Sequence, residues 1–409
     1  MTAASHRPLG LRGWLKHGGV VLLITLIVTF LHHAGWFTCF ETATLDAFLT
    51  LNKRTQESAD VVLITITDED YAELFNATSP LKAETVQRLL ATLATLPAAR
   101  PRAIGVDLDT SAPSWQGYRP PSEAPPVVWA REAAIEQGHV DLQPFLGEPH
   151  PTGARWGVAA APLDADGVIR RYRWTYSLSE ETVPSFAAAV LDAAGDHTSE
   201  HEPSGQLHLN FFGDRYRFAS YSAADALRLA GSPDWQRSLC DRIVLIGATF
   251  RQSRDEYRAP WDGKDGRWYG VEVMANVIET ELRGQGVRPV NHLWMVLLDI
   301  LCGLAIVALN HRFSVGKALF WSLALAVVAA PASSFLTFSS FAYWASFVPV
   351  MVGVAVHQLY DHAVEYRKLL QKEVSVPKSP KPRRRPLRTF FEAVPRSSER
   401  GYRRRWGGG

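Results

Sequence analysis

The chain has 409 residues, 43 of them Lys or Arg and 41 Asp or Glu, for a net charge of +2, with three cysteines. No CxxC, HExxH or Cys/His cluster occurs, which excludes a zinc centre of usual spacing; no Ser/His/Asp order, phosphate loop or kinase signature points to an enzyme. The near-neutral total conceals a division, because residues 38–290 carry a net −11 and residues 361–409 a net +9.

Arg7, Arg12 and Lys16 lie in a cytoplasmic N-terminus, residues 1–17, ahead of an apolar run at 18–37. The run is long enough to cross a hydrocarbon core of ~30 Å as a helix. No small-x-small cleavage site follows it, only His32-His33-Ala34-Gly35-Trp36, so it reads as an uncleaved anchor.

Residues 38–290 read as one α/β domain, a mixed sheet flanked by helices. Cys39 to Thr55 is a short amphipathic helix. Val61 to Thr67 is a β-branched strand, apolar at its start, as a strand covered on both faces should be. Lys82 to Leu96 is a helix with Leu89, Leu90, Leu93 and Leu96 as its stripe, and Ala103 to Asp109 is a second strand. Strand, helix, strand implies a parallel pair with a right-handed crossover. Val127 to Trp129 is a third strand. Residues 156–161 and 168–176 flank Asp164-Ala165-Asp166-Gly167 as a hairpin. That tetrapeptide looks like the start of a calcium loop, but Thr175 stands where the loop needs Glu. Helices at 184–194, 222–230 (Ser222 as N-cap) and 270–282 alternate with strands at 207–212 and 242–247. Cys39 and Cys240 are free to form one bridge or to remain thiols; their spacing selects neither.

Three further apolar runs give spans at 291–310, 318–336 and 341–359, for four transmembrane helices in all. Arg312 and Lys317 lie in the first turn between them, whereas the second turn, 337–340, has no charge. With the basic N-terminus and tail, this pattern places both termini in the cytoplasm and residues 38–290 outside the inner membrane. In the tail, residues 360–409, Lys381, Arg383, Arg384 and Arg385 stand among prolines, which suits anionic lipid rather than nucleic acid.

The order of motifs resembles the type 2 CHASE family, extracytoplasmic sensory domains associated with bacterial cyclases and kinases. The carrying residues are Val62 to Glu69, Ala103 to Asp107, Asp164 to Arg171, Pro184 to Ala187, Phe212-Gly213, Ser220-Tyr221, Arg242 to Thr249 and Tyr269 to Asn276. One span before the domain and three after it is also the family layout. The family's Trp-Pro-rich motif is reduced here to Pro80, and residues 110–155 are hard to match. Family members usually carry a catalytic domain after the last span. About 50 residues follow here, too few for one. The resemblance therefore implies a membrane sensor that binds a ligand or protein outside and signals to a separate cytoplasmic partner. It implies a homodimer too. The competing reading is a scaffold subunit that docks an envelope protein. No cofactor is called for.

Ligands of open α/β sheets gather beyond the carboxyl ends of strands. Asp68, Asp107 and Asp109 stand there, and Glu272 opens a helix nearby, so these four are the candidate ligand-binding residues. Such a group would suit a hard cation or a cationic ligand. The bland reading is that each caps a helix or pairs with an arginine such as Arg102 or Arg251. Within the spans, Asp299 is an expensive charge, with His32 and His33 at a similar depth. Either Asp299 contacts a histidine and ties the first span to the later ones, or it faces a polar cavity or backbone.

Overall fold

The computed structural model describes residues 11–52, 58–96, 100–136, 139–149, 151–178, 181–196, 206–211, 217–260 and 267–375. Contacts divide the chain into two units, Met1–Gln358 and Leu359–Gly409. The basic tail residues Lys381, Arg383, Arg384 and Arg385 lie outside the described residues.

Two helices come first, α1 (Leu11–His33) and α2 (Thr38–Leu51). The α/β domain then runs β1 (Val61–Ile66), α3 (Asp68–Glu73), α4 (Ala83–Ala94), β2 (Ala103–Asp107), β3 (Val127–Arg131) and the hairpin β4 (Ala133–Glu136) with β5 (His139–Leu142). It continues with β6 (Arg155–Val158), β7 (Arg171–Arg173), the hairpin β8 (Thr175–Ser177) with β9 (Thr182–Pro184), α5 (Phe186–Ala193), β10 (Gln206–His208) and β11 (Ala219–Ser222). Then come α6 (Ala223–Leu229), α7 (Pro233–Leu239), β12 (Ile243–Ala248), the hairpin β13 (Glu256–Arg258) with β14 (Arg267–Tyr269), and α8 (Gly270–Leu282).

The main sheet has six strands in the order β11-β1-β12-β2-β3-β6, and every neighbouring pair is parallel. The expected mixed sheet is thus corrected to a parallel one. Parallel strands need crossovers: α3–α4 carries the chain from β1 over β12 to β2, and α6–α7 carries it from β11 over β1 to β12. The antiparallel pairs separate into two-stranded ladders of their own.

Strand β1 shows why its sequence is apolar throughout. Val62, Ile64 and Ile66 enter a core with residues of α4, α6 and α7, while Val61 and Leu63 enter a second core with residues of α5 and α8. Side chains alternate across a strand, so a sheet covered on both faces needs apolar residues at every position.

Residues 156–161 and 168–176 do not pair as the expected hairpin. β6 joins the main sheet beside β3, and β7 pairs with β10. The turn between them does form: the Gly167 N–H donates to the Asp164 carbonyl at 2.8 Å. Cys39 and Cys240 are free thiols exposed to solvent.

After α8, β15 (Arg288–Pro289) leads into α9 (His292–Arg312). Next come α10 (Val315–Ala324), a π-helical segment (Leu325–Ala329) and α11 (Ala330–Phe341); β16 (Tyr343–Trp344) then pairs in parallel with β15. Helix α12 (Val348–Ser375) closes the described chain. Among the described residues, three stretches are long and apolar enough to cross a membrane: Leu15–His33, His292–Arg312 and Gly316–Phe341. The fourth expected span is corrected. Ala342 takes a left-handed φ of 55°, which breaks the helix, and helix resumes only at Val348. The apolar part of α12 soon gives way to His357, Gln358, Asp361 and His362.

Candidate functional site

The carboxyl edge of the sheet gathers acids. Asp107 ends β2, directly across from Gly247 of β12. Burial, and then the carboxylates of Asp255 and Glu132, push its carboxyl well above the usual range. Glu132, just past β3, is raised by burial and by Asp109 and Asp255. Asp255, ahead of β13, is raised by burial although it accepts hydrogen bonds from Tyr257 and the Gly270 N–H. Four carboxyl groups from three loops therefore lie close enough to act on one another, and burial with mutual repulsion raises Asp107 and Glu132. Asp109 also accepts the Ser111 N–H at 2.9 Å.

Asp68 and Glu272 lie outside this group and sit at helix starts. Asp68 is half-exposed, accepts the Arg251 N–H at 2.9 Å and lies 3.7 Å from the Arg251 guanidinium. Glu272 is buried and accepts the Tyr269 N–H at 2.9 Å, closing the first turn of α8. The buried acid of the first loop is Asp70. Its carboxylate accepts the Thr67 N–H at 3.0 Å, and the Ala223 and Ala224 N–H groups at 3.1 Å each. One side chain thus caps both α3 and α6.

Two cavities open in the domain. One, of about 580 Å³, is lined by Arg155, Trp156, Trp174, Glu181 and Asp192. The other, of about 520 Å³, is lined by Tyr118, Arg119, Trp129, Glu148 and Arg155. Both volumes suit a small ligand. Neither cavity is lined by Asp68, Asp107, Asp109 or Glu272.

The domain meets the apolar helices through α2. Arg170, 2 % exposed, donates to Asp46 of α2 from Nε at 2.6 Å and from Nη2 at 2.9 Å. The same guanidinium donates to Asp164 at 3.0 Å and to Asp166 at 2.9 and 2.8 Å. Burial works against its charge, but these three carboxylates outweigh burial and hold the guanidinium above its usual range. Asp166 is held at about 2, chiefly by its hydrogen bonds from Arg170. Beside this ion cluster, Leu45, Phe48 and Leu49 of α2 pack with Val287 and Phe338. The Phe48 ring lies 5.2 Å from Phe335, 5.7 Å from Phe338 and 6.0 Å from Phe347. The nearby His208 is half-buried; desolvation and then Arg171 lower it to about 4.

Within the helices, Asp299 is 8 % exposed and is hydrogen-bonded by the Thr25 side chain of α1. It also abuts α12, where a Cβ on Gly353 would stand 2.5 Å from Asp299 Oδ1. A cavity of about 160 Å³ is lined by Asp299, His32, His292, Trp344 and Ser346. The tie between α1 and α9 at Asp299 runs through Thr25. The histidines pack on one another instead: ring centroids stand 5.7 Å apart for His32 and His33, 5.1 Å for His32 and His292, and 4.6 Å for His33 and His292.

Sequence reasoning missed Glu132, Asp255, Asp46 and His292. Glu132 stands past the expected third strand, 127–129, and Asp255 lies in a charged loop, so strand ends alone did not mark them. Nothing local marks Asp46 as the partner of a residue 124 positions away.

In comparison with known proteins, the model of the CHASE2 domain matches residues 21–309. No curated protein and no solved structure matches the chain.

Proposed function

As this chain belongs to the CHASE2 domain family, we propose that it is a membrane-anchored sensor. Its α/β domain lies outside the inner membrane, binds a ligand or protein there, and passes the change through its helices to a separate cytoplasmic partner. The Arg170–Asp46 pair carries this reading. It joins the turn at 164–167 directly to α2, the helix that continues from α1. A shift in the domain therefore has a stiff route to the membrane helices.

The acids Asp107, Asp109, Glu132 and Asp255 are the candidate recognition group, and they favour a cationic ligand. Such a ligand replaces mutual repulsion by attraction. The surface supports sensing over the scaffold alternative. Between Val61 and Leu282, Leu163 is the one large apolar side chain exposed among the described residues, so no broad apolar docking patch is presented there.

The test is thermal unfolding of the full chain in detergent with cations, amino acids, polyamines, nucleotides and envelope fragments. A ligand of the folded state at a hundredfold excess over its Kd adds about 2.7 kcal/mol. The expected result is a raised midpoint that Asp109→Asn diminishes, with slower amide exchange in α2. A midpoint unmoved by every compound would move the reading to the scaffold.

A further inference from the structure

The three histidines come from two helices. His32 and His33 end α1, and His292 begins α9. At 4.6–5.7 Å between centroids, charges on two of the rings repel one another, although His33 and His292 are exposed to solvent. His33 Nδ1 donates to the Thr29 carbonyl at 2.9 Å, which fixes that ring. The carboxylate of Glu41, on α2, lies 3.0 Å from His32 Nδ1 and accepts the Ser346 hydroxyl at 2.5 Å. The charges acting on His292 are those of His32, His33 and Glu41, and Asp299 shares the cavity of His32 and His292. Glu41 can therefore balance one imidazolium. A second, on the close pair His33 and His292, meets the like charge of a neighbouring ring as well as the attraction of Glu41.

We propose that His32, His33 and His292 form a proton-binding switch, which holds the ends of α1 and α9 together until a second ring is protonated and then parts them. The proton comes from water at the mouth of the cavity and adds to a neutral ring nitrogen, with no other bond changed. Histidine is the side chain whose charge most readily switches near physiological pH. Deeper in the bundle, a Cβ on Gly303 of α9 would stand 2.6 Å from Val21 of α1. The Val21 side chain lies against the α9 backbone there, and that contact is the pivot about which the histidine ends separate. Because α1 continues into α2, the parting also moves Asp46 against Arg170.

The switch rests on the sensor reading only for what it signals. Its test needs no ligand, so the two can fail separately. Phe30 and Leu293, both exposed, take spin labels as Phe30→Cys and Leu293→Cys in a Cys39→Ser, Cys240→Ser, Cys302→Ser background. The inter-label distance is measured on the full chain in lipid nanodiscs from pH 7.5 to 4.5. It should lengthen on acidification, and His33→Gln with His292→Gln should abolish the lengthening. Glu41→Gln leaves the rings in place but removes their balancing charge, so it should move the midpoint to lower pH. The proposal is overturned by a distance that does not change with pH in the labelled parent. It is equally overturned by a change that survives the double histidine variant, or by a midpoint that Glu41→Gln leaves unmoved.

Discussion

Arg170 and Asp46 face each other with two hydrogen bonds, 2.6 and 2.9 Å, across 124 positions of sequence. Removing one partner of a buried pair strands the other, at about 3–5 kcal/mol. Arg170→Ala should cost that much, because it strands Asp46 and Asp166 and leaves Asp164 to Arg171 alone. Asp46→Asn should cost less, since two carboxylates remain for the guanidinium. Denaturant unfolding of the full chain in detergent checks both, and equal losses would show that Asp46 is the only partner that matters.

Asp107 gives a pH dependence of stability. Its carboxyl is raised in the folded chain by burial, Asp255 and Glu132. The folded state thus holds a proton that the unfolded chain releases at about 3.9. The stabilising contribution is present below that pH and is lost as pH rises through the folded value. Asp107→Asn should therefore raise the thermal midpoint at pH 8 and gain little at pH 4. A gain independent of pH would mean that the charge is not the cause.

His208 has the opposite sign. It is held at about 4 in the folded chain, with 6.5 as its ordinary value. Its contribution is complete above pH 6.5 and is lost as pH falls towards 4, by about 3 kcal/mol for the whole shift. His208→Gln should flatten that part of the stability curve in an acid titration followed by circular dichroism. An unchanged slope would assign the loss to other groups.

Asp70 caps two helices with one carboxylate. At about 1 kcal/mol for each cap, Asp70→Ala should cost about 2 kcal/mol. Asp68→Ala, at a half-exposed side chain, should cost well under 1 kcal/mol. Chemical denaturation of the two variants side by side measures the difference, and equal costs would refute the shared cap.

The sheet was legible because β1, β2 and β12 are buried on both faces and so read as unbroken apolar runs. The helices α4, α6 and α8 were legible from stripes and caps. Helices α3 and α7, of six and seven residues, are too short to show a period. Sheet direction was misjudged because hairpins such as β8–β9 look locally like strands of the main sheet. The fourth span was overcounted because a tally of apolar residues does not register a left-handed turn at Ala342. At the candidate site, Asp107 and Asp109 could be placed from strand ends alone. Glu132 and Asp255 could not, because loops bring them there.

The short ladder of Arg288–Pro289 against Tyr343–Trp344 has a mechanical consequence. It fastens the loop that starts α9 to the loop between α11 and α12, backbone to backbone. Those helices therefore rise from a common baseplate and must tilt as one. Helix α1 is the remaining beam, hung from the domain by α2. On the sensor reading proposed above, a message would have one coordinate to travel along, the movement of α1 against that baseplate.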